Sequence, residues 1–276
     1  MKLISFSVAG GPVRPGLFSD DKTSLVDLSS AGYTDALDVI TRGLPSALPE
    51  AKLAAKDVKL HAPISNPPRV FAIGLNYRDH AKESGMAIPD TPVVFQKLTT
   101  SIIGPDAAIV LPKNSTQPDY EAEFAFVIGK GGYRIPAAAW REHVFGYTIV
   151  NDVSARDVQL ATSQWTLGKS FPTFCPIGPA IVTADEIADP HALDVKLTID
   201  GELMQNSNTR ELIFKVPELI EYLSSITPLL PGDVISTGTP YGVGLGRTPK
   251  RWLKPGETVT IAITGLDELT NPVVAE

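Results

Sequence analysis

The stretch Asp119-Tyr120-Glu121-Ala122-Glu123-Phe124-Ala125-Phe126-Val127-Ile128, with Val150-Asn151-Asp152 further along, decides how this chain is read. Aromatic and β-branched residues alternate through the first segment, which is the pattern of a strand. Side chains two apart in a strand share a face. Glu121 and Glu123 therefore stand side by side, Ala125 and Val127 carry that face into apolar ground, and Phe124, Phe126 and Ile128 cover the other. Two carboxylates held against buried surface repel each other unless one is protonated or both share a cation. Asp152 ends a second apolar run, Val144 to Val150, and supplies a third carboxylate. Three carboxylates without cysteine or clustered histidine suit a hard cation: Mg²⁺ or Mn²⁺, with Ca²⁺ also possible. The same pair would equally suit a solvated strand face, so the rest of the chain has to choose between the two.

A chain of 276 residues suffices for one large domain or two smaller ones. The net charge of −7, with lysines and arginines scattered, argues against nucleic acid and anionic membrane as partners. No apolar run approaches the roughly 18 to 20 residues that cross a bilayer. The opening run Met1 to Val8 alternates like a strand and is short for a secretory leader, so a cytoplasmic location is expected. Cys175 is the sole cysteine, which excludes an intramolecular disulfide. Its apolar setting, Phe174-Cys175-Pro176-Ile177-Gly178, points to a buried, unreactive thiol.

Residues 1–65 read as a small N-terminal domain and linker. Strands are expected at Leu3 to Val8 and Ser24 to Leu28, and a helix around Tyr33 to Arg42, stopped by Gly43. Pro63, Pro67 and Pro68 make Lys59 to Pro68 an extended connector. From residue 66 to 276 short strands dominate: Arg69 to Ile73, Val93 to Phe95, Glu121 to Ile128, Val144 to Val150, Ala180 to Val182 and Leu193 to Ile199. Two Pro-Gly turns, Pro231-Gly232 and Pro255-Gly256, each lead into a β-branched run. Helices are expected only at Ala137 to His143 and Val216 to Ser225, besides a short one opening in the Gly74 to Gly85 segment. Without regular βαβ alternation the class is α+β, mostly β.

In Gly74-Leu75-Asn76-Tyr77-Arg78-Asp79-His80-Ala81-Lys82-Glu83-Ser84-Gly85, His80 and Glu83 share one side of a helix. A histidine beside a carboxylate is an oriented general base, although an incidental surface pair has the same spacing. Gly168-Lys169-Ser170 is no phosphate loop, because Ser163 stands where that pattern needs glycine. Lys169, among Trp165, Leu167 and Phe171, either snorkels to the surface or aims its charge into a pocket. The loop Thr237-Gly238-Thr239-Pro240-Tyr241-Gly242-Val243-Gly244 lacks dinucleotide spacing, but its backbone amides could hold a carboxylate. His61, His143 and His191 are read as isolated, on the surface or in turns.

Taken in order, the Gly74 to His80 run, Tyr120 to Glu123, Asn151-Asp152 through Arg156 to Gln159, Trp165 to Phe171, Phe174 to Pro179 and Thr237 to Gly244 resemble the fumarylacetoacetate hydrolase superfamily. The match spans roughly residues 66 to 276, and the N-terminal region is similar to the small first domain of the acylpyruvase-like branch. The resemblance implies a mixed β-sandwich roll with a small N-terminal α/β subdomain, usually homodimeric. It implies a divalent cation held by Glu121, Glu123 and Asp152, with His80, Glu83 and Lys169 as catalytic groups. Tyr77, Arg156, Gln159, Gly238 and Thr239 match positions that face metal or substrate. One departure is Pro172, where many relatives carry an acidic residue.

The reaction implied first is hydrolysis of a C–C bond in acylpyruvate-type diketo acids, through an enolate next to a carboxylate. His80, steered by Glu83, would activate water, and Lys169 would add positive charge to the enolate. The alternatives that keep the same site are decarboxylation or tautomerisation of oxaloacetate and isomerisation of 2-hydroxyhepta-2,4-diene-1,7-dioate. The segments Ser84 to Thr91 and Tyr241 to Arg247 are expected to shape the pocket that chooses among them.

Overall fold

Strand Ala122–Ile128 is buried at every position, so neither of its faces meets solvent. Phe124, Phe126 and Ile128 enter one core, while Ala125 and Val127 enter another. The computed structural model describes residues 1–276, the side chain of Ser84 excepted. A 12-stranded sheet runs Lys52–Ala54, Ser24–Asp27, Arg14–Phe18, Lys2–Val8, Cys175–Thr183, Val144–Asn151, Ala122–Ile128, Val234–Ser236, Val70–Gly74 and Val93–Lys97, with Val58–His61 and Ile102–Ile103 attached to it. A five-stranded sheet, Glu202–Asn208, Asp194–Ile199, Thr258–Ile263, Asp267–Ala275 and Ile109–Leu111, lies against it. Val195, Leu197, Val259 and Ile261 of the second sheet share a core with Phe124 and Phe126 of the first, which makes the molecule a mostly β sandwich.

The opposite face of the large sheet is covered from the N-terminal segment. Val39 and Ile40 of helix Ala36–Arg42, with Leu3 and Leu17, pack on Ala125, Val127 and Val150. That helix begins later than Tyr33 because Asp35 caps it, accepting from the Asp38 amide. Lys2–Val8 pairs antiparallel with Cys175–Thr183 and also with Val58–His61, so the expected connector begins as a strand of the shared sheet. Ala137–Glu142 forms a 3₁₀ turn where an α-helix was expected. Helix Val216–Ile226 buries Leu219, Ile220 and Leu223, the spacing seen in its sequence.

Several strands were not expected from the sequence, among them Arg14–Phe18, Lys52–Ala54 and Ile109–Leu111, and two others show the reason. Asp267–Ala275 carries Asn271 on its buried side, where the amide donates to the Gly104 and Ala107 carbonyls at 2.9 Å each. Glu202–Asn208 is an edge strand with buried Gln205. His143 lies in a turn, one of the two places expected for it, and is buried there, with Nδ1 2.6 Å from the Lys130 carbonyl. Cys175 is fully buried, and burial first, then Asp152 and Glu123, push its thiol up to about 12. Among the described residues no helix is long and apolar enough to cross a membrane.

Candidate active site

The antiparallel register between Ala122–Ile128 and Val144–Asn151 sets Ala122 opposite Asn151. One step further, the Asp152 amide donates to the Glu121 carbonyl at 3.0 Å. Residues opposite each other in an antiparallel pair share a face. Glu121, Glu123 and Asp152 therefore emerge together where the ladder ends. Oxygens of all three lie within 4.8 Å of one another, and all three side chains are buried. Among the described residues no other trio of such side chains lies close enough to share an ion.

Cations surround these carboxylates. Lys169 Nζ bridges Glu121 Oε2 at 2.6 Å and Asp152 Oδ2 at 2.8 Å. Lys97 Nζ meets Asp152 Oδ1 at 2.5 Å and also donates to the Lys169 carbonyl. Arg156 donates through Nη2 to Glu121 Oε1 at 2.5 Å, through Nε to Asp119 Oδ2 at 2.8 Å and through Nη1 to Gln159 Oε1 at 3.0 Å. Glu123 bonds no cation directly; Ser236 Oγ at 2.5 Å and the Gly238 amide at 2.9 Å donate to it. The turn that presents Lys169 is locked because a Cβ at Gly168 would stand 2.4 Å from the Gln159 nitrogen. Only glycine lets the two segments approach this closely.

Electrostatics follow the contacts. Burial alone would raise Glu121, but Arg156 and Lys169 pull it down to about 2. Glu123 lacks such neighbours, and burial, then the charges of Asp152 and Glu121, push it up to about 8. Burial acts to lower Lys169, but Asp152 and Glu121 hold it above its ordinary value.

A cavity of about 160 Å³ opens on the carboxylates and reaches His80. Arg156, Gln159, Lys169 and Thr239 belong to its polar lining, and Leu75, Met86, Phe95, Leu160, Trp165 and Leu245 to its apolar lining. His80 sits on helix Arg78–Ser84 with Nδ1 3.1 Å from Glu83 Oε2. An outer hollow of about 660 Å³ shares His80, Met86 and Leu245 and is flanked by Arg247 and Lys250. The pocket thus draws on the two segments expected to shape it.

A model of the fumarylacetoacetate (FAA) hydrolase C-terminal family matches residues 69–274. The chain belongs to this fumarylacetoacetate hydrolase family. It is 43% identical to the mitochondrial oxaloacetate tautomerase fahd2 of Xenopus laevis over 290 residues, covering 99% of this chain and 90% of that one. It superposes on a fumarylacetoacetate hydrolase from Exiguobacterium antarcticum with TM-score 0.90 at 37% identity, each chain fully covered. A 5-carboxymethyl-2-hydroxymuconate delta-isomerase from Mycobacterium smegmatis superposes with TM-score 0.85 at 36% identity, again over 100% of both.

The residues present fit the divalent cation that the family implies. Four buried carboxylates (Asp119, Glu121, Glu123, Asp152) face three buried cations (Lys97, Arg156, Lys169), leaving one surplus negative charge. That surplus falls on Glu123, the carboxylate without a cation of its own. A doubly charged ion on three all-oxygen ligands would turn the surplus positive, which suits an anionic ligand. Each carboxylate oxygen has more than one acceptor site, so the lysine and arginine contacts leave lone pairs for an ion.

Two of the residues matched to substrate-facing positions lie behind the cavity wall. Tyr77 is fully buried and does not line the cavity, and its hydroxyl has no hydrogen-bond partner among the described residues. Burial, then the charges of Glu123 and Asp79, raise its phenol well above the usual value. Gly238 contributes its amide to Glu123. Pro172 is exposed and outside the lining. The loop amides do hold carboxylates, those of the protein itself: Gly242 donates to Glu83 at 3.0 Å, and Gly244 and Leu245 donate to Asp119 at 2.7 and 3.0 Å. Lys97, Asp119, Ser236 and Gln205 carry the site without having been singled out. Gln205 accepts from the Ala122 amide at 2.9 Å and donates to Thr239 Oγ1 at 2.9 Å. Lys97, the one buried position of the strand Val93–Lys97, left no clear signal in the sequence Val-Val-Phe-Gln-Lys.

Proposed function

We propose that this protein is a divalent-metal-dependent keto–enol tautomerase of small 2-oxo acids, with oxaloacetate as the leading substrate. The observation that carries it is that one small cavity is bordered by both the buried carboxylate trio and His80, whose Nδ1 faces Glu83 from behind. A volume of about 160 Å³ is below the roughly 300 Å³ at which drug-sized pockets begin, and suits a metabolite of few atoms. The 43% identical relative named an oxaloacetate tautomerase supports the same reading.

A cation held by Glu121, Glu123 and Asp152 would supply Lewis-acid polarisation of a 2-oxo acid's keto and carboxylate oxygens. Mg²⁺ or Mn²⁺ is preferred, because three carboxylates suit a six-coordinate ion that keeps other positions for water or ligand. Lys169 and Arg156 offset the charge of Glu121, Asp152 and Asp119, so that a bound cation would leave this part of the cavity net positive towards an anionic substrate. Thr239 accepts from Gln205, which leaves its hydroxyl proton for a substrate oxygen. With Nδ1 bonded to Glu83, His80 uses Nε2 to carry the proton. Ketonisation adds a proton at C3 of the enol and removes the one on its 2-hydroxyl. His80 delivers the first, water takes up the second, and His80 regains a proton from water, so that no net proton is consumed. Phe95, Trp165 and Leu160 keep the site low in dielectric, which strengthens each of these interactions.

The test is the rate at which enol oxaloacetate disappears with Mg²⁺ or Mn²⁺, with and without enzyme, together with solvent deuterium entering at C3. No acceleration over metal ion alone sinks the reading. A second reading, C–C hydrolysis of acylpyruvates, is favoured by the outer hollow of about 660 Å³, which gives a longer acyl tail somewhere to lie. Cleavage of acetylpyruvate in the same assay decides between them. The homodimeric state implied by the resemblance belongs to the same proposal, and sedimentation of the purified protein checks it.

A further inference from the structure

Loop residues 241–247 touch both ends of the cavity. On one side the Gly244 and Leu245 amides fix Asp119, which orients Arg156 and through it Glu121. On the other side the Gly242 amide holds Glu83 Oε1, while Glu83 Oε2 faces His80 Nδ1. Gly246 completes this second contact by what it lacks. A Cβ there would stand 2.4 Å from Glu83 Cδ, 2.6 Å from Oε1 and 2.7 Å from Oε2. The carboxylate of Glu83 therefore lies directly against the bare backbone of Gly246.

Nothing else at this position calls for glycine. Its φ is not in the left-handed region, where side chains are strained, and the residue is exposed. By contrast, a Cβ at Gly242 would meet the Met204 carbonyl at 2.3 Å, and one at Gly244 the Arg251 carbonyl at 2.0 Å. Substitution at those two disrupts backbone packing. At Gly246 the clashing atoms are the far end of a flexible glutamate, which can swing aside at little cost to the fold. Swinging aside is what a base-orienting carboxylate must not do.

We infer that Gly246 is a positioning residue that seats Glu83, and through Glu83 holds His80 in register with the carboxylate trio across the same loop. The inference rests on the proton-transfer role given above to the His80–Glu83 pair. Displacing a reacting group by about 1 Å can cost up to about 10²-fold in rate. Gly246→Ala is therefore expected to lower kcat by about 10- to 100-fold, leaving KM, Mn²⁺ affinity and melting temperature in place.

The decisive experiment is a double-mutant cycle on the full-length protein, with Gly246→Ala made in the wild-type and Glu83→Ala backgrounds and kcat measured on oxaloacetate with Mn²⁺. The expected result is a loss in the first background and no further loss in the second. Equal losses in both backgrounds, a parallel loss of Mn²⁺ affinity, full retention of kcat, or failure of Gly246→Ala to fold would each overturn the inference. If Glu83→Ala itself keeps full activity, the proton-transfer reading falls and this inference with it. If Glu83→Ala is impaired while the cycle is additive, only the role of Gly246 is lost. Glu83→Asp, which withdraws the carboxylate from its seat with Gly246 intact, should reproduce the kcat loss; full activity in that variant also overturns the inference.

Discussion

The two ends of the cavity are built in opposite ways. The carboxylate end grows out of the core: Glu123 lies in a strand buried at every position, and Glu121 and Asp152 extend the ladder it forms. Each carboxylate there accepts at least two hydrogen bonds or ion pairs. The end that carries His80 and Glu83 is a seven-residue helix, too short to be stable alone, docked onto this scaffold. Arg78 donates to the Leu212 carbonyl at 2.8 Å, and Asp79 accepts from Ser207 Oγ at 2.5 Å. Beyond the helix, Met86 and Ile88 are exposed. An ion site needs fixed, desolvated ligands and is best carved from rigid sheet. A proton carrier needs only orientation, and a docked helix supplies that while leaving the cavity a side that can open. Damage at the first end should therefore cost stability and activity together, and damage at the second activity alone.

Asp152→Ala is expected to have the largest effect. It removes one of the three carboxylates proposed to hold the ion and leaves Lys97 and Lys169 without their shared carboxylate in a buried setting. Breaking a buried ion pair from one side costs about 3–5 kcal/mol, so melting should fall together with Mn²⁺ binding and turnover. A variant that binds Mn²⁺ normally and melts like the wild type would erase the contrast between the ends. His80→Ala comes next, with kcat lowered by about 10²- to 10⁴-fold. Calorimetric Mn²⁺ titration and thermal melting should give wild-type values for it. A drop in either would mean that the docked helix is part of the ion site.

The carboxylate end was also the more legible in sequence, for the same reason. Strand periodicity is local, so the shared face of Glu121 and Glu123, and the burial of Phe124 and Phe126 opposite, could be read from spacing. Supporting groups that act over long separations left no such trace. Lys97 meets Asp152 across the sheet, and the amides that hold Asp119 come from Gly244 and Leu245. Backbone donors have no side-chain signature at all. Tyr77 and Gly238 matched a substrate-facing pattern, yet one lies buried behind the wall and the other turns its amide to Glu123. The strands were mostly visible, but their order was not, because the pairing of Lys2–Val8 with Cys175–Thr183 joins distant segments. His143 sits in a turn as expected, but its burial was not legible, because the carbonyl of Lys130 that partners it is distant in sequence.

Proton competition gives the smallest and most graded test. Without metal, burial, then Asp152 and Glu121, raise the Glu123 carboxyl to about 8 from its ordinary 4.5. The folded state then holds this proton more tightly than the unfolded chain does. Its contribution to stability is fully present below pH 4.5 and is lost as pH rises through about 8. Glu121 behaves oppositely: its contribution is present above pH 4.5 and is lost as pH falls through about 2. A cation must displace the Glu123 proton, so Mn²⁺ affinity should tighten about tenfold per pH unit between about pH 6 and 8 and then level off. The Glu123→Gln variant removes that proton, so its residual affinity should follow pH weakly over the same range. Mn²⁺ titrations of both proteins across these pH values check the slope. A wild-type affinity independent of pH would show that Glu123 is already ionised, and that burial and its acidic neighbours do not keep a proton on it.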